Sequence, residues 1–147
     1  MRKRNFKGRC EKRMIGKCTE VCRTYDAIQY AYADLLQGSD EVKEIRCNVL
    51  LDGLDVGKYT SDFVCTKVDG DLMVRECVFR KFLMKPLTVK LLDASREYWL
   101  RHGVTDWGAV SIERRLVAMK AFHDAGVRTT CFISIIFLNL HARWAPP

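Results

Sequence analysis

The stretch Tyr59–Phe79, YTSDFVCTKVDGDLMVRECVF, decides the reading of this chain. Two alternating runs flank Val68-Asp69-Gly70-Asp71, a turn sequence that marks a β-hairpin. Each arm carries a carboxylate, Asp62 in the first and Glu76 in the second. Side chains alternate faces along a strand. Phe63 and Cys65 therefore fall on one face of the first arm, Asp62 and Val64 on the other. In the second arm Met73, Cys77 and Phe79 oppose Val74, Glu76 and Val78. A two-residue Asp69-Gly70 turn would set Asp62 opposite Cys77 and part the carboxylates. A three-residue loop or a bulge would bring Asp62 and Glu76 opposite or diagonal on one face. The apolar pattern favours the second arrangement, because Phe63 then packs with Cys77 and Phe79. Converging carboxylates repel unless a proton or cation intervenes, and oxygen ligands suit Mg²⁺ or Mn²⁺. The plainer alternative is a solvent-facing pair on an ordinary hairpin.

Upstream, Thr24 is placed to cap a helix over Tyr25–Gln37, with Asp26 putting negative charge near its positive end. Ile28, Ala31, Tyr32, Leu35 and Leu36 form one broad apolar stripe. Gln29 lies at the edge of that stripe, within reach of the hairpin or simply at the surface. Val42–Leu51 reads as a strand, broken by Asp52-Gly53 and Gly57. Downstream, Pro86 stops the extended run and Thr88 is placed to cap a second helix, Val89 to about His102. Leu91, Leu92, Ser95, Tyr98 and Trp99 share one of its faces, and Gly103 ends it. Val104–Ile112 is the next strand. A strand, helix, strand order makes a crossover, so this strand is expected to run parallel to the one that carries Glu76. Arg114–Ala125 reads as a third helix and Cys131–Leu140 as a buried strand, too short to span a bilayer. The fold class is therefore α/β.

Composition narrows the setting. The chain has 147 residues, 48% of them apolar, which suits one domain with a true core. Its net charge of +7 favours an anionic partner, nucleic acid first. Residues 1–23 form a basic arm with no apolar run behind it, so no secretory signal is expected there. The seven cysteines are expected to be reduced thiols. Cys10, Cys18 and Cys22 lack a paired CxxC and make a weak case for zinc; Cys47, Cys65 and Cys77 read as small core residues.

The block from about residue 24 to 110 resembles the amino-terminal endonuclease domain of TnsA-like heteromeric transposase subunits, which belongs to the restriction-endonuclease-like PD-(D/E)xK superfamily. The resemblance rests on YTSDFVC, VREC after a short turn, the helix LTVKLLDASREYWLRHGV and the strand DWGAV. It implies a mixed central sheet flanked by helices, with a core at 24–112; the residue pattern alone adds a helix and an apolar strand or exposed tail at 113–147. It implies metal-dependent hydrolysis of DNA at transposon ends, with Mg²⁺ or Mn²⁺ as cofactor. The implied partners are DNA, a strand-transferring transposase subunit and an ATP-using regulator; a bacterial cytoplasmic location follows. Asp62 matches the family's metal-binding aspartate, Glu76 its second-strand acidic or amide position and Gln29 the place of its helix glutamate. Two departures stand out. Val78 occupies the lysine position, and Gln29 is a neutral, weaker ligand. Arg80 or Lys90 could supply the missing cation, though arginine is a poor base; Asp26 could stand in for the helix acid. Arg75, Arg80, Lys81 and Lys85 are candidates for phosphate contact. Three readings stand: an active variant endonuclease, a non-catalytic DNA-binding or assembly subunit on the same fold, or an unrelated basic α/β interaction protein. Full-length relatives add a winged-helix domain for which this length leaves no room, as in a single-domain relative or a shortened reading frame.

Overall fold

The computed structural model describes residues 10–111. The segments expected to form a third helix and an apolar strand, 114–125 and 131–140, lie outside the described residues.

The turn at Val68–Gly70 sets the register of one strand of the central hairpin against the other. Thr66 pairs with Leu72. Next, the Lys67 N–H donates to the Asp71 carbonyl at 2.8 Å and the Gly70 N–H to the Lys67 carbonyl at 3.0 Å. This is a three-residue loop, and its last residue, Gly70, has φ 92°, a conformation that glycine adopts without steric cost. β3 (Val42–Leu51), β4 (Tyr59–Lys67) and β5 (Leu72–Cys77) run antiparallel in that order. β6 (Asp106–Val110) joins β5 in parallel, with Glu76 opposite Ala109, as the crossover reading expects. The sheet order is β3-β4-β5-β6.

The helices lie on opposite faces. α1 (Ala27–Gly38) packs Ile28, Tyr32 and Leu36 against Ile45, Phe63 and Cys65. α2 (Pro86–Arg101) packs Leu91 and Trp99 against Val64 and Val74 on the other side. Adjacent residues Phe63, Val64 and Cys65 thus feed two cores, which is why this strand is apolar on both faces. Leu35, expected on the α1 stripe, is 42% exposed, and Ala33 is buried instead.

Several boundaries differ from the sequence reading, each for a local reason. α1 is capped by Asp26, whose carboxylate accepts the Gln29 N–H at 2.9 Å; Thr24 belongs to a strand. α2 opens with Pro86 at its first turn, where a missing N–H costs nothing, so the proline starts the helix instead of only stopping the strand. Gly103, with φ 80°, ends it, and the Val104 N–H closes back on the Trp99 carbonyl. Part of the basic arm is ordered: β1 (Glu11–Arg13) pairs antiparallel with β2 (Cys22–Thr24). Phe79 lies past the end of β5 and is 38% exposed, so it does not share the Phe63 face. Among the described residues no helix is long and apolar enough to cross a membrane.

The turn geometry predicts opposite signs for two glycine substitutions. A Cβ at either Gly70 or Gly38 would meet nothing within 4 Å, but only Gly70 has a positive φ. Gly70→Ala should cost about 1–2 kcal/mol through backbone strain, whereas Gly38→Ala, within α1, should add roughly 0.5–1 kcal/mol. Urea unfolding of the two variants reads the difference directly.

Candidate functional site

Three elements converge where β4 and β5 part. Gln29 sits at the third position of α1, buried to 1% exposure. Its orientation is fixed by chemistry. The Tyr25 N–H can only donate, and it donates to Gln29 Oε1 at 2.7 Å. The amide nitrogen therefore faces Asp62 and donates to its Oδ1 at 2.8 Å. Asp62 Oδ2 accepts the Cys77 N–H at 2.7 Å. The β4–β5 ladder ends at Phe63 and Arg75, so this carboxylate takes the donor that the next rung would have used.

Glu76 reaches the other way. Its Oε1 accepts hydroxyl protons from Ser61 and Ser95, each at 2.7 Å, and its Oε2 accepts the Asp62 N–H at 3.2 Å. The serines in turn accept from indoles: Trp99 Nε1 donates to Ser61 at 2.9 Å and Trp107 Nε1 to Ser95 at 3.1 Å. An indole nitrogen is a donor only, so the direction of each relay is set: Trp to Ser to Glu76. Asp62 is 1% exposed and Glu76, Ser61 and Ser95 are 0% exposed. A carboxylate in so dry a place is tolerable only when its oxygens are hydrogen-bonded, and here both are.

The expectation that the two carboxylates share one face needs correcting. Asp62 turns to α1 and Glu76 to α2, and they meet through the gap between their strands. The cause is a break in alternation. Tyr59 and Leu51 pack with the α2 core, whereas Phe63 and Ile45 pack with the α1 core, although all four are odd-numbered positions of paired strands. The break falls at Asp62 and at Asn48, which lies between the paired Cys47 and Val49 and has φ 54°. Asparagine tolerates this left-handed conformation better than most residues. Its amide donates to the Arg23 carbonyl at 2.8 Å.

The other candidate residues are spread more widely. Val78, which the resemblance sets at a lysine position, is buried. Arg80 is not on the strand with Glu76; it begins an exposed 3-10 turn, Arg80–Phe82, after β5 has ended. Lys90 is exposed and lines a cavity of about 580 Å³ beside Asp55, Asp93 and Glu97. Arg75 is not a surface base. It is 5% exposed and ion-paired with Asp106 at 2.7 Å, with Gly108 packed against its guanidinium. Lys81 and Lys85 are exposed, and their ammonium groups lie 4.8 and 4.5 Å from the centre of the Phe82 ring. Sequence reasoning put Ser95 and Trp99 on the buried face of α2 but missed what they do. The available signal was a serine within an otherwise apolar helix face.

This donor set does not fit a hydrated Mg²⁺ or Mn²⁺ ion. Such ions keep several waters, which a site at 0–1% exposure does not offer. Gln29 also presents its NH₂ group, not its oxygen, to Asp62. Protein donors stand where a shared cation would.

A second cluster was missed. Cys18, Cys22 and Cys47 bring their sulfurs within 4.8 Å of one another. Cys47 had read as a core residue because it alternates within a strand, and no spacing rule links it to the other two. By contrast Cys65 is an inert core thiol, its pKa pushed up to about 12 by burial.

Neither a family model nor a curated protein matches the chain.

The network predicts the effect of Ser95→Ala. Glu76 loses a donor and the Trp107 indole its acceptor. Stability should fall by about 1–3 kcal/mol, seen as a lower urea midpoint at unchanged slope. A midpoint equal to wild type would mean that the relay contributes nothing.

Proposed function

We propose that this chain is a DNA-binding or assembly subunit that does not itself cut DNA, built on a restriction-endonuclease-like core of the TnsA-like type. The observation that carries this reading is the filled carboxylate pair. Asp62 and Glu76 accept five hydrogen bonds from Gln29, Cys77, Ser61, Ser95 and the Asp62 backbone. A catalytic carboxylate must bring an ion and its water to the substrate; these carboxylates hold strands and helices together instead. The buried Val78 supplies no charge for a transition state. A hairpin, a crossover helix and a parallel strand, with helices on both faces, support the fold assignment.

For the DNA contact, the segment after β5 is the best-furnished surface. Arg80, Lys81 and Lys85 are exposed and interleave with Phe79 and Phe82, whose rings meet edge-on at 6.1 Å. Cations attract phosphates, and exposed rings stack on bases, most readily where a strand is unpaired. The net charge of +7 acts in the same direction. A strand-transferring transposase subunit and an ATP-using regulator are the partners that the resemblance supplies.

A second reading, the metal-dependent endonuclease, retains one specific support. Gln29, Asp62 and Glu76, the positions matched to the family's acidic residues, do form one hydrogen-bonded cluster. In that reading a DNA complex would have to displace the protein donors before an ion entered.

The test measures anisotropy of labelled duplex and single-stranded DNA across about 50–200 mM salt. Wild type should bind with a steep salt slope. Replacing Arg80, Lys81 and Lys85 together by Ala should weaken binding by roughly tenfold or more and lower the slope by about 2–3. Plasmid DNA with Mg²⁺ or Mn²⁺ should stay intact, and Asp62→Asn, which sets an amide NH₂ against a donor and should unfold at lower urea, should bind DNA as wild type where it is folded. Nicking by wild type that Asp62→Asn abolishes would establish the endonuclease reading instead.

A further inference from the structure

We propose that Cys18, Cys22 and Cys47 form a thiolate site for one Zn²⁺ ion, with an exchangeable fourth ligand. The inference is independent of the DNA reading. It rests first on geometry. Three sulfurs, two from the stretch that leads into β2 and one from β3, lie mutually within 4.8 Å, and Cys47 and Cys22 are 3.3 Å apart. A tetrahedral ion with zinc–sulfur bonds of about 2.3 Å holds its sulfurs roughly 3.8 Å apart. Small adjustments therefore reach a coordinating arrangement. The Cys18-x-x-x-Cys22 spacing is that of a short chelating loop.

The backbone fixes the three positions before any ion arrives. The Cys18 N–H donates to the Ile15 carbonyl at 3.0 Å, and the Ile45 N–H to the Lys17 carbonyl at 2.8 Å. A parallel bridge joins Cys18 to Ile45, two residues before Cys47 on β3. Cys22 begins β2, where it pairs with Arg13. Pre-positioned ligands lose little freedom on binding, so more of the coordination energy appears as affinity.

Charge also suits a thiolate cluster. Three thiolates and one Zn²⁺ carry a net charge of −1, and Arg13, paired with Cys22 across β1 and β2, brings a guanidinium to that side of the cluster. Arg13 is held there by Asp34 at 2.6 Å and by the Tyr30 carbonyl at 2.8 Å. Its Nε is buried without a hydrogen-bond partner among the described residues.

A disulfide explains less. It would join two of the sulfurs and leave the third as a half-buried thiol. Soft thiolates select Zn²⁺ over Mg²⁺ or Ca²⁺. No fourth His, Cys, Asp or Glu joins the cluster among the described residues, so a water or small thiol completes the tetrahedron. On binding, each thiol that ligates gives its proton to solvent.

The experiment uses the reduced full chain. Zn²⁺ should bind at one equivalent, and Co²⁺ in its place should give a thiolate-to-metal charge-transfer band of tetrahedral type. Cys18→Ser, Cys22→Ser and Cys47→Ser should each weaken binding by about 100-fold or more, whereas Cys10→Ser, outside the cluster, should bind as wild type. A second readout needs no variant. Zn²⁺ should slow alkylation of Cys18, Cys22 and Cys47 in the wild-type protein while Cys10 reacts at its original rate. Unchanged alkylation, Co²⁺ binding without a thiolate band, binding that survives all three substitutions, or a Cys22–Cys47 disulfide whose reduced form takes no metal would each overturn the proposal.

Discussion

The Cys77 N–H that bonds to the Asp62 carboxylate stands where a strand ladder would otherwise continue. That one substitution of side chain for backbone opens the sheet. Beyond Phe63 and Arg75, β4 and β5 no longer pair directly, yet β5 keeps its parallel partner to its last residue, Cys77. The gap must be filled with groups that satisfy freed backbone donors, and a carboxylate does this with more strength than a neutral acceptor. Glu76 does the same for the Asp62 N–H from the opposite side. The carboxylates are thus structural groups of the sheet, whatever else they do. An apolar pair in their place would leave both N–H groups orphaned.

The constraint propagates outward in both directions. Asp62 needs a donor from the α1 side, and Gln29 supplies it because the Asp26 cap fixes the first turn of that helix. Glu76 needs donors from the α2 side, and Ser95 is the small polar residue that allows Trp99 and Trp107 to close over it. A neutral Gln29 serves this arrangement better than a glutamate would. A third carboxylate at that point would add repulsion, and it could not donate to Asp62 when ionised. The glutamine and the buried Val78 are therefore mutually consistent, and the basic groups of this region sit outside, on the turn after β5.

Much of the frame was legible because it follows simple periods. Val42–Leu51 was read to the residue, since its apolar run ends at a clear turn signal. The hairpin register followed from which apolar residues needed to meet. The parallel β6 followed from the order strand, helix, strand. What could not be read lacked a period. Strands of three residues, as in β1 and β2, carry no alternation long enough to detect. The face change at Asn48 and Asp62 is invisible to an alternation rule because it is a failure of that rule, caused by a positive φ at a residue that is not glycine. Arg75 looked like a surface base because its ion-pair partner, Asp106, is 31 residues away in sequence and one strand away in space. Cys47 failed to stand out for the same reason: its meaning lies in Cys18 and Cys22, which reach it only through the fold.

Those non-local features are coupled at a single rung. Cys47 and Asn48 are consecutive on β3, and both reach back to the small β1–β2 unit, one through the Cys22 sulfur and one through the Arg23 carbonyl. Two strands of three residues cannot build a core of their own. Their position depends on these contacts and on Arg13, whose guanidinium lies 3.6 Å above the Tyr30 ring of α1. Asn48 faces Asp62 across the break in alternation. The hairpin that clasps Asn48 therefore also helps hold the turn of backbone that aims Asp62 at Gln29. An ion at the three sulfurs would tighten that clasp without touching a carboxylate, so the thiol cluster and the polar core form one mechanical unit in spite of their unlike chemistry.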